Sequence, residues 1–127
     1  MKLNEYLKHQ KVLYDGAFGT YYSMKYESKE IPELANEKYP ERVLEIHREY
    51  LKAGATLIRT NTFASNQGTL ACEREQVAKN IKKAYQLAKK AVELSGKEAF
   101  IAASIGPIDF VKRGEEFARE EEYKEII

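Results

Sequence analysis

The chain has 127 residues, enough for one sizeable core but too few for most complete β/α barrels. Its 21 Lys and Arg against 20 Asp and Glu leave a formal charge of +1, and the basic residues alternate with Glu along helical stretches, so no nucleic-acid footprint is present. No apolar run approaches the roughly 18 residues of a membrane helix, and Met1 to Leu7 lacks a signal peptide's apolar core; with one cysteine, Cys72, no internal disulfide can form, and a cytoplasmic protein of one domain, residues 1–127, is expected.

Leu3, Tyr6 and Leu7 stand at helical spacing, so a short helix over Leu3 to Gln10 is expected to plug one end of the fold. Lys11 to Tyr14 reads as a strand that runs into Asp15-Gly16-Ala17-Phe18-Gly19-Thr20. Three readings compete for this loop. A phosphate cradle would want more glycines and a Lys. A plain turn would use Asp15 to cap backbone amides. In the third, Asp15 points out of the strand end and accepts charge-assisted hydrogen bonds from a cationic group of a substrate.

Tyr21 to Tyr39, rich in Tyr, Lys and Glu and broken by Pro32, reads as a loop or short helical turns, its tyrosines anchored on the surface or serving as a lid. From Pro40 a helix buries Val43, Leu44, Ile46, Tyr50 and Leu51 and ends at Gly54, with His47 read as a surface residue. A buried strand, Thr56 to Thr60, then changes abruptly to Asn61-Thr62-Phe63 and a polar loop, Ala64 to Thr69. The amide of Asn61 and the hydroxyl of Thr62 suit either a substrate carboxylate or structural bonding, and Phe63 suits packing.

Leu70 to Ser95 predicts a long amphipathic helix with Val77, Ile81, Ala84, Leu87, Ala88, Ala91 and Leu94 on its buried side. Cys72 near its start reads as a buried, inert thiol, since no second Cys and no neighbouring His offer a metal site. Phe100 to Ser104 predicts a third strand turned sharply by Gly106-Pro107, with Ser104 presenting a hydroxyl, and a third helix begins at Gly114 without a closing residue. Strand and helix alternate throughout, which implies parallel strands with right-handed crossovers. A flavodoxin-like binding domain fits this alternation less well, for want of a phosphate loop.

Asp15-Gly16-Ala17-Phe18-Gly19-Thr20, Ala53-Gly54-Ala55 leading into Thr60-Asn61-Thr62-Phe63, and Ala103-Ser104-Ile105-Gly106-Pro107 stand in an order and spacing that closely resemble the first three strands of the homocysteine S-methyltransferase family. The resemblance spans nearly the whole chain. It implies an α/β fold, the N-terminal part (about three βα units) of a (β/α)8 barrel that transfers a methyl group to the thiol of homocysteine and forms methionine. It also implies a zinc ion, held by cysteines, that activates the thiol as a thiolate, and a methyl donor such as a folate, betaine, S-methylmethionine or a corrinoid.

By this resemblance Asp15 would bind the homocysteine amino group, with Gly16, Thr60, Asn61, Thr62 and Ser104 shaping the pocket. The chain departs from the family's pattern at the metal: the zinc cysteines are expected beyond Ile127, Cys72 matches none of them, and catalytic residues are expected outside this stretch. The chain is therefore expected to be part of a longer enzyme and inactive alone, with self-association through exposed barrel edges as the next expectation. A non-catalytic amino-acid-binding or assembly module derived from the barrel is the alternative.

Overall fold

The structure is a computed structural model that describes residues 1–108 and 116–127. At its centre β1 (Leu57–Arg59) pairs in parallel with β2 (Phe100–Ala102), Leu57 opposite Phe100 and Arg59 opposite Ala102. Tyr14 forms a single parallel bridge to Leu57, which makes β1 the middle line of three. The expected first strand over Lys11 to Tyr14 is thus reduced to one rung. Its ladder is interrupted because the Leu13 N–H donates to the Thr56 hydroxyl at 2.9 Å instead of to a strand carbonyl.

β1 and β2 are also shorter than the sequence suggests, for a related reason. Past the last backbone rung, from Thr60 N to the Ala102 carbonyl at 2.9 Å, side chains take over. The Thr60 hydroxyl accepts from Ser104 N at 3.3 Å, and the Thr62 hydroxyl donates to the Ser104 carbonyl at 2.7 Å. The two strand ends stay tied, but by hydroxyls.

Side chains alternate across a strand, so Ile58 faces one side of the sheet while Leu57 and Arg59 face the other. On the Ile58 side lie α4 (Pro40–Lys52) and α6 (Arg74–Ser95), which bury Leu51, Ala55, Ile58, Ala88 and Ala91 together. A second cluster joins Tyr22, Ala35, Val43, Ile46 and Leu87. On the opposite side α1 (Leu3–Tyr6) sets Tyr6 edge-on against Phe100, with ring centroids 5.1 Å apart, and a turn carries the chain on to Gln10.

The end of α4 shows how sequence fixes a turn. Gly54 N donates to the Leu51 carbonyl and Ala55 N to the Tyr50 carbonyl, the paired bonds that close a helix through a left-handed residue. Gly54 has φ +112°, which a side chain would resist. Gly96 ends α6, also left-handed at φ +67°, with one backbone bond to the Glu93 carbonyl, while Lys97 N donates to the Ser95 hydroxyl.

Three expectations need correction. His47 is fully buried in α4 rather than on its surface, because position 47 continues the stripe of Val43, Ile46 and Leu51. The long helix starts at Arg74 instead of Leu70. Gln67–Leu70 forms its own short α5, capped by the Asn66 carboxamide, and the left-handed Ala71 (φ 51°) divides the two. Leu94, expected in the core, is exposed. The segment expected as loop or short turns is built from α2 (Gly19–Lys25), a 3-10 turn at Pro32–Leu34 and α3 (Ala35–Lys38). The helix expected from Gly114 is described as α7 (Glu116–Ile126); its expected start lies outside the described residues.

Candidate functional site at the strand ends

The loops after Tyr14, β1 and β2 gather at one end of the sheet. Two glycines allow close packing there, Gly16 against Tyr50 of α4 and Gly106 against the loop that carries Phe63. A Cβ on Gly16 would stand 2.8 Å from the Tyr50 hydroxyl, which itself donates to the Ala17 carbonyl at 2.7 Å. On Gly106 a Cβ would come within 2.4 Å of the Phe63 carbonyl oxygen, the acceptor of the Gly106 N–H. Any side chain at Gly106 would therefore push the second and third loops apart. Burial raises the Tyr50 hydroxyl above its ordinary pKa, with the Asp15 carboxylate adding to the effect, so it stays protonated and donates.

Asp15 is buried, and both carboxylate oxygens are engaged by one residue. Arg59 Nε donates to Oδ1 at 2.8 Å, and the Arg59 backbone N–H donates to Oδ2 at 3.0 Å. The guanidinium also reaches the Asp15 and Gly16 carbonyls through Nη2, each at 3.2 Å. An ammonium could reach Asp15 only after Arg59 had moved aside.

Asn61 turns away from this pair into a network of buried amides. Its Nδ2 donates to the Pro32 carbonyl at 2.9 Å and to Asn36 Oδ1 at 3.1 Å, while Asn36 Nδ2 returns a bond to the Asn61 carbonyl at 2.8 Å. Asn80 joins them, accepting from Ser65 at 2.7 Å and donating to the Glu33 carbonyl at 2.9 Å. Glu33 in turn accepts from Ala64 N at 3.1 Å, so the Pro32–Lys38 segment is fastened onto the strand end. The Asn61 amide group is thus engaged in structural bonding to Pro32 and Asn36.

Thr60 and Thr62 are buried and share a hydroxyl contact of 2.7 Å. With Ser104, Ile101, Ile105 and Tyr85 they line a groove of about 310 Å³ between α6 and the free edge of β2, on the helix side of the sheet. The expected residues thus fall into separate groups: Asp15 and Gly16 with Arg59, Asn61 among the amides, and Thr60, Thr62 and Ser104 at the groove. A larger groove of about 640 Å³ lies along α4 and the end of α6, lined by Leu44, Leu51, Leu94 and charged residues of α4. None of the strand-end residues borders it.

Sequence reasoning passed over Arg59, although a signal was available. It is the only charged residue between Ala53 and Cys72, set in an apolar strand at the alternation position that faces away from the helices. Cys72 is half-buried, and burial together with Glu37 and Glu73 holds its thiol above the ordinary range, the opposite of an activated thiolate. Among the described residues no three His, Cys, Asp or Glu side chains come together as metal ligands.

Parallel strands with a helix layer on one face, and polar loops at one end of the sheet, define the class as an α/β fold that matches about half of a larger protein. The profile of homocysteine S-methyltransferase matches residues 12–126, and the chain belongs to that family. Among solved structures it is similar to the homocysteine methyltransferase MmuM from Escherichia coli. The metallated form superposes with a TM-score of 0.73 at 21% identity over 98% of this chain and 52% of that one. The oxidised form gives 0.63 at 25% identity over 83% and 40%. The chain spans about half the length of the structures it matches.

Proposed function

We propose that this chain is the N-terminal portion of a zinc-dependent homocysteine S-methyltransferase that forms methionine, and that its strand ends supply part of the homocysteine pocket. The observation that carries the reading is the family match over residues 12–126, which takes in the strand-end loops, the second and third of them in close contact at Gly106. Asp15, Gly16, Thr60, Asn61, Thr62 and Ser104 are the residues assigned to the pocket and its support. Thr60 and Thr62 tie neighbouring strand ends, and Asn61 fixes the segment above them. Substrate geometry is set by such ties, since small displacements of a bound reactant cost rate.

By the family likeness, the zinc ligands and the metal chemistry are assigned to cysteines outside residues 1–127. The chain alone is expected to transfer no methyl group. A methyl donor, whether a folate, betaine, S-methylmethionine or a corrinoid, would bind largely outside this portion, and a cytoplasmic location follows the same reading. No helix among the described residues is long and apolar enough to cross a membrane.

The test is zinc content and homocysteine calorimetry on this chain and on a longer chain carrying the C-terminal half of the barrel. The longer chain is expected to hold about one zinc and to bind homocysteine, and the shorter one to hold none. Stoichiometric zinc on the short chain, or no homocysteine bound by the long one, would overturn the reading.

A further inference from the structure

The loops after β1 and β2 are held from outside by two adjacent residues of α7. Tyr123 presents its hydroxyl to the turn at Gly106-Pro107-Ile108, accepting from Ile108 N at 2.8 Å and donating to the Gly106 carbonyl at 3.3 Å. Glu122 serves the other loop, its carboxylate accepting from Gln67 N at 2.7 Å at the start of α5. Between the two loops runs the bond from Gly106 N to the Phe63 carbonyl, at 3.0 Å. These bonds close a circuit: from Phe63 across to Gly106, through Tyr123 and Glu122 to Gln67, and back along the chain to Phe63. The ion pair of Arg74 with Glu125, at 2.7 Å, fastens α7 to the start of α6.

The chemistry of the turn explains why a clip is needed. Pro107 has no N–H to give, and the preceding glycine adds backbone freedom. Backbone groups withdrawn from water must find partners, and the Gly106 N–H, the Gly106 carbonyl and the Ile108 N–H each bond outside the turn. A tyrosine hydroxyl suits the task because it accepts and donates at once. Every member of the circuit lies between Phe63 and Tyr123, so it does not depend on the remaining strands of a barrel.

The circuit borders residues assigned to the pocket, since Phe63 follows Thr62 and Gly106 stands two residues past Ser104. We infer that Tyr123, with Glu122 beside it, is a positioning residue that sets the gap between the second and third loops. Through that gap it places Thr62 and Ser104 against the ligand. The ligand's identity as homocysteine rests on the function proposed above.

The experiment uses the longer chain that carries the C-terminal half of the barrel. Tyr123→Phe keeps the ring and deletes both bonds; Glu122→Ala removes the acceptor for Gln67, and Glu122→Gln keeps one. Amide hydrogen exchange at Gly106 reads the clip, and homocysteine calorimetry reads the pocket. Tyr123→Phe is expected to speed exchange at Gly106 by about 10-fold while the β1–β2 rungs stay protected. Its Kd for homocysteine is expected to rise by about 3- to 10-fold at unchanged stoichiometry. Glu122→Ala is expected to act in the same direction and Glu122→Gln to stay near wild type. A merely structural role would lower the fraction of protein able to bind and leave Kd as it is.

Faster exchange with an unchanged Kd overturns the inference and leaves the homocysteine reading in place. Exchange at Gly106 that stays at the wild-type rate in Tyr123→Phe overturns it too, whatever the Kd. Wild type that binds no homocysteine overturns the proposed function instead, and Gly106 exchange then decides whether the clip stands. Where Tyr123→Phe fails to fold, Glu122→Ala against Glu122→Gln carries the same comparison.

Discussion

Lowering the pH should loosen this fold through one residue, His47. It is fully buried, its ring stacks at a tilt 5.2 Å from Phe18, and neither ring nitrogen has a hydrogen-bond partner among the described residues. Burial alone pushes its pKa down to about 4, from 6.5 in an exposed chain. The unfolded state therefore takes up the proton first as pH falls. Stability is full above the unfolded value and is lost progressively from there down to about 4, the opposite of what a salt-bridged histidine gives.

The gap between the two values amounts to about 3 kcal/mol at its limit, of which roughly 2 kcal/mol is already lost near pH 5. Replacing the imidazole by an apolar side chain of similar size removes both the titration and the unpaired nitrogens, a change that can be neutral or stabilising. His47→Leu should accordingly match or exceed wild type near neutrality and exceed it by about 2 kcal/mol more near pH 5. Urea unfolding followed by circular dichroism at both pH values measures the difference, and carboxylates that titrate in both proteins cancel. An identical pH dependence in wild type and variant would refute the argument.

Gly54→Ala should lower stability by about 2 kcal/mol, since φ +112° strains any side chain, whereas Gly68→Ala, inside α5 and free of close contacts, should be neutral or stabilising by up to about 1 kcal/mol. The urea midpoints of the two variants check this, and equal shifts would remove the conformational explanation. Asn36→Ala deletes bonds to the Asn61 carbonyl and to Asn80 in a buried network, so a loss of about 2–4 kcal/mol is expected. A loss below about 1 kcal/mol by the same measurement would mean that the amides are not cooperative partners.

The order of strands and helices was legible because apolar periodicity changes from near four to two across each glycine turn. Gly54 and Gly96 stand where the chain reverses, and both take positive φ. Strand length was not legible in the same way. The Thr60 and Thr62 hydroxyls end the ladder by substituting for it, and only the neighbouring chain at Ser104 reveals that. His47 was misplaced because residue type outweighed position: it lies on the buried stripe of its own helix. At the site, family likeness drew attention to Asp15, but its partner depends on a register between Tyr14 and Leu57 that no local pattern encodes. The amide cluster of Asn36, Asn61 and Asn80 is equally non-local, and its members read as ordinary polar residues until they meet.

The parallel pairing of β1 with β2 has a kinetic consequence. The residues that face each other are separated in sequence by all of α5 and α6, so no hairpin can nucleate the sheet. A disordered connection of that length would make ring closure entropically slow, whereas a formed α6 turns most of it into one rigid rod. Helix formation takes about a microsecond or less, and α6 can dock on α4 through Leu87, Ala88 and Ala91 before either strand finds register. Substitutions at those three positions should therefore slow folding itself, while changes in the β1–β2 rungs should act chiefly on the rate of unfolding.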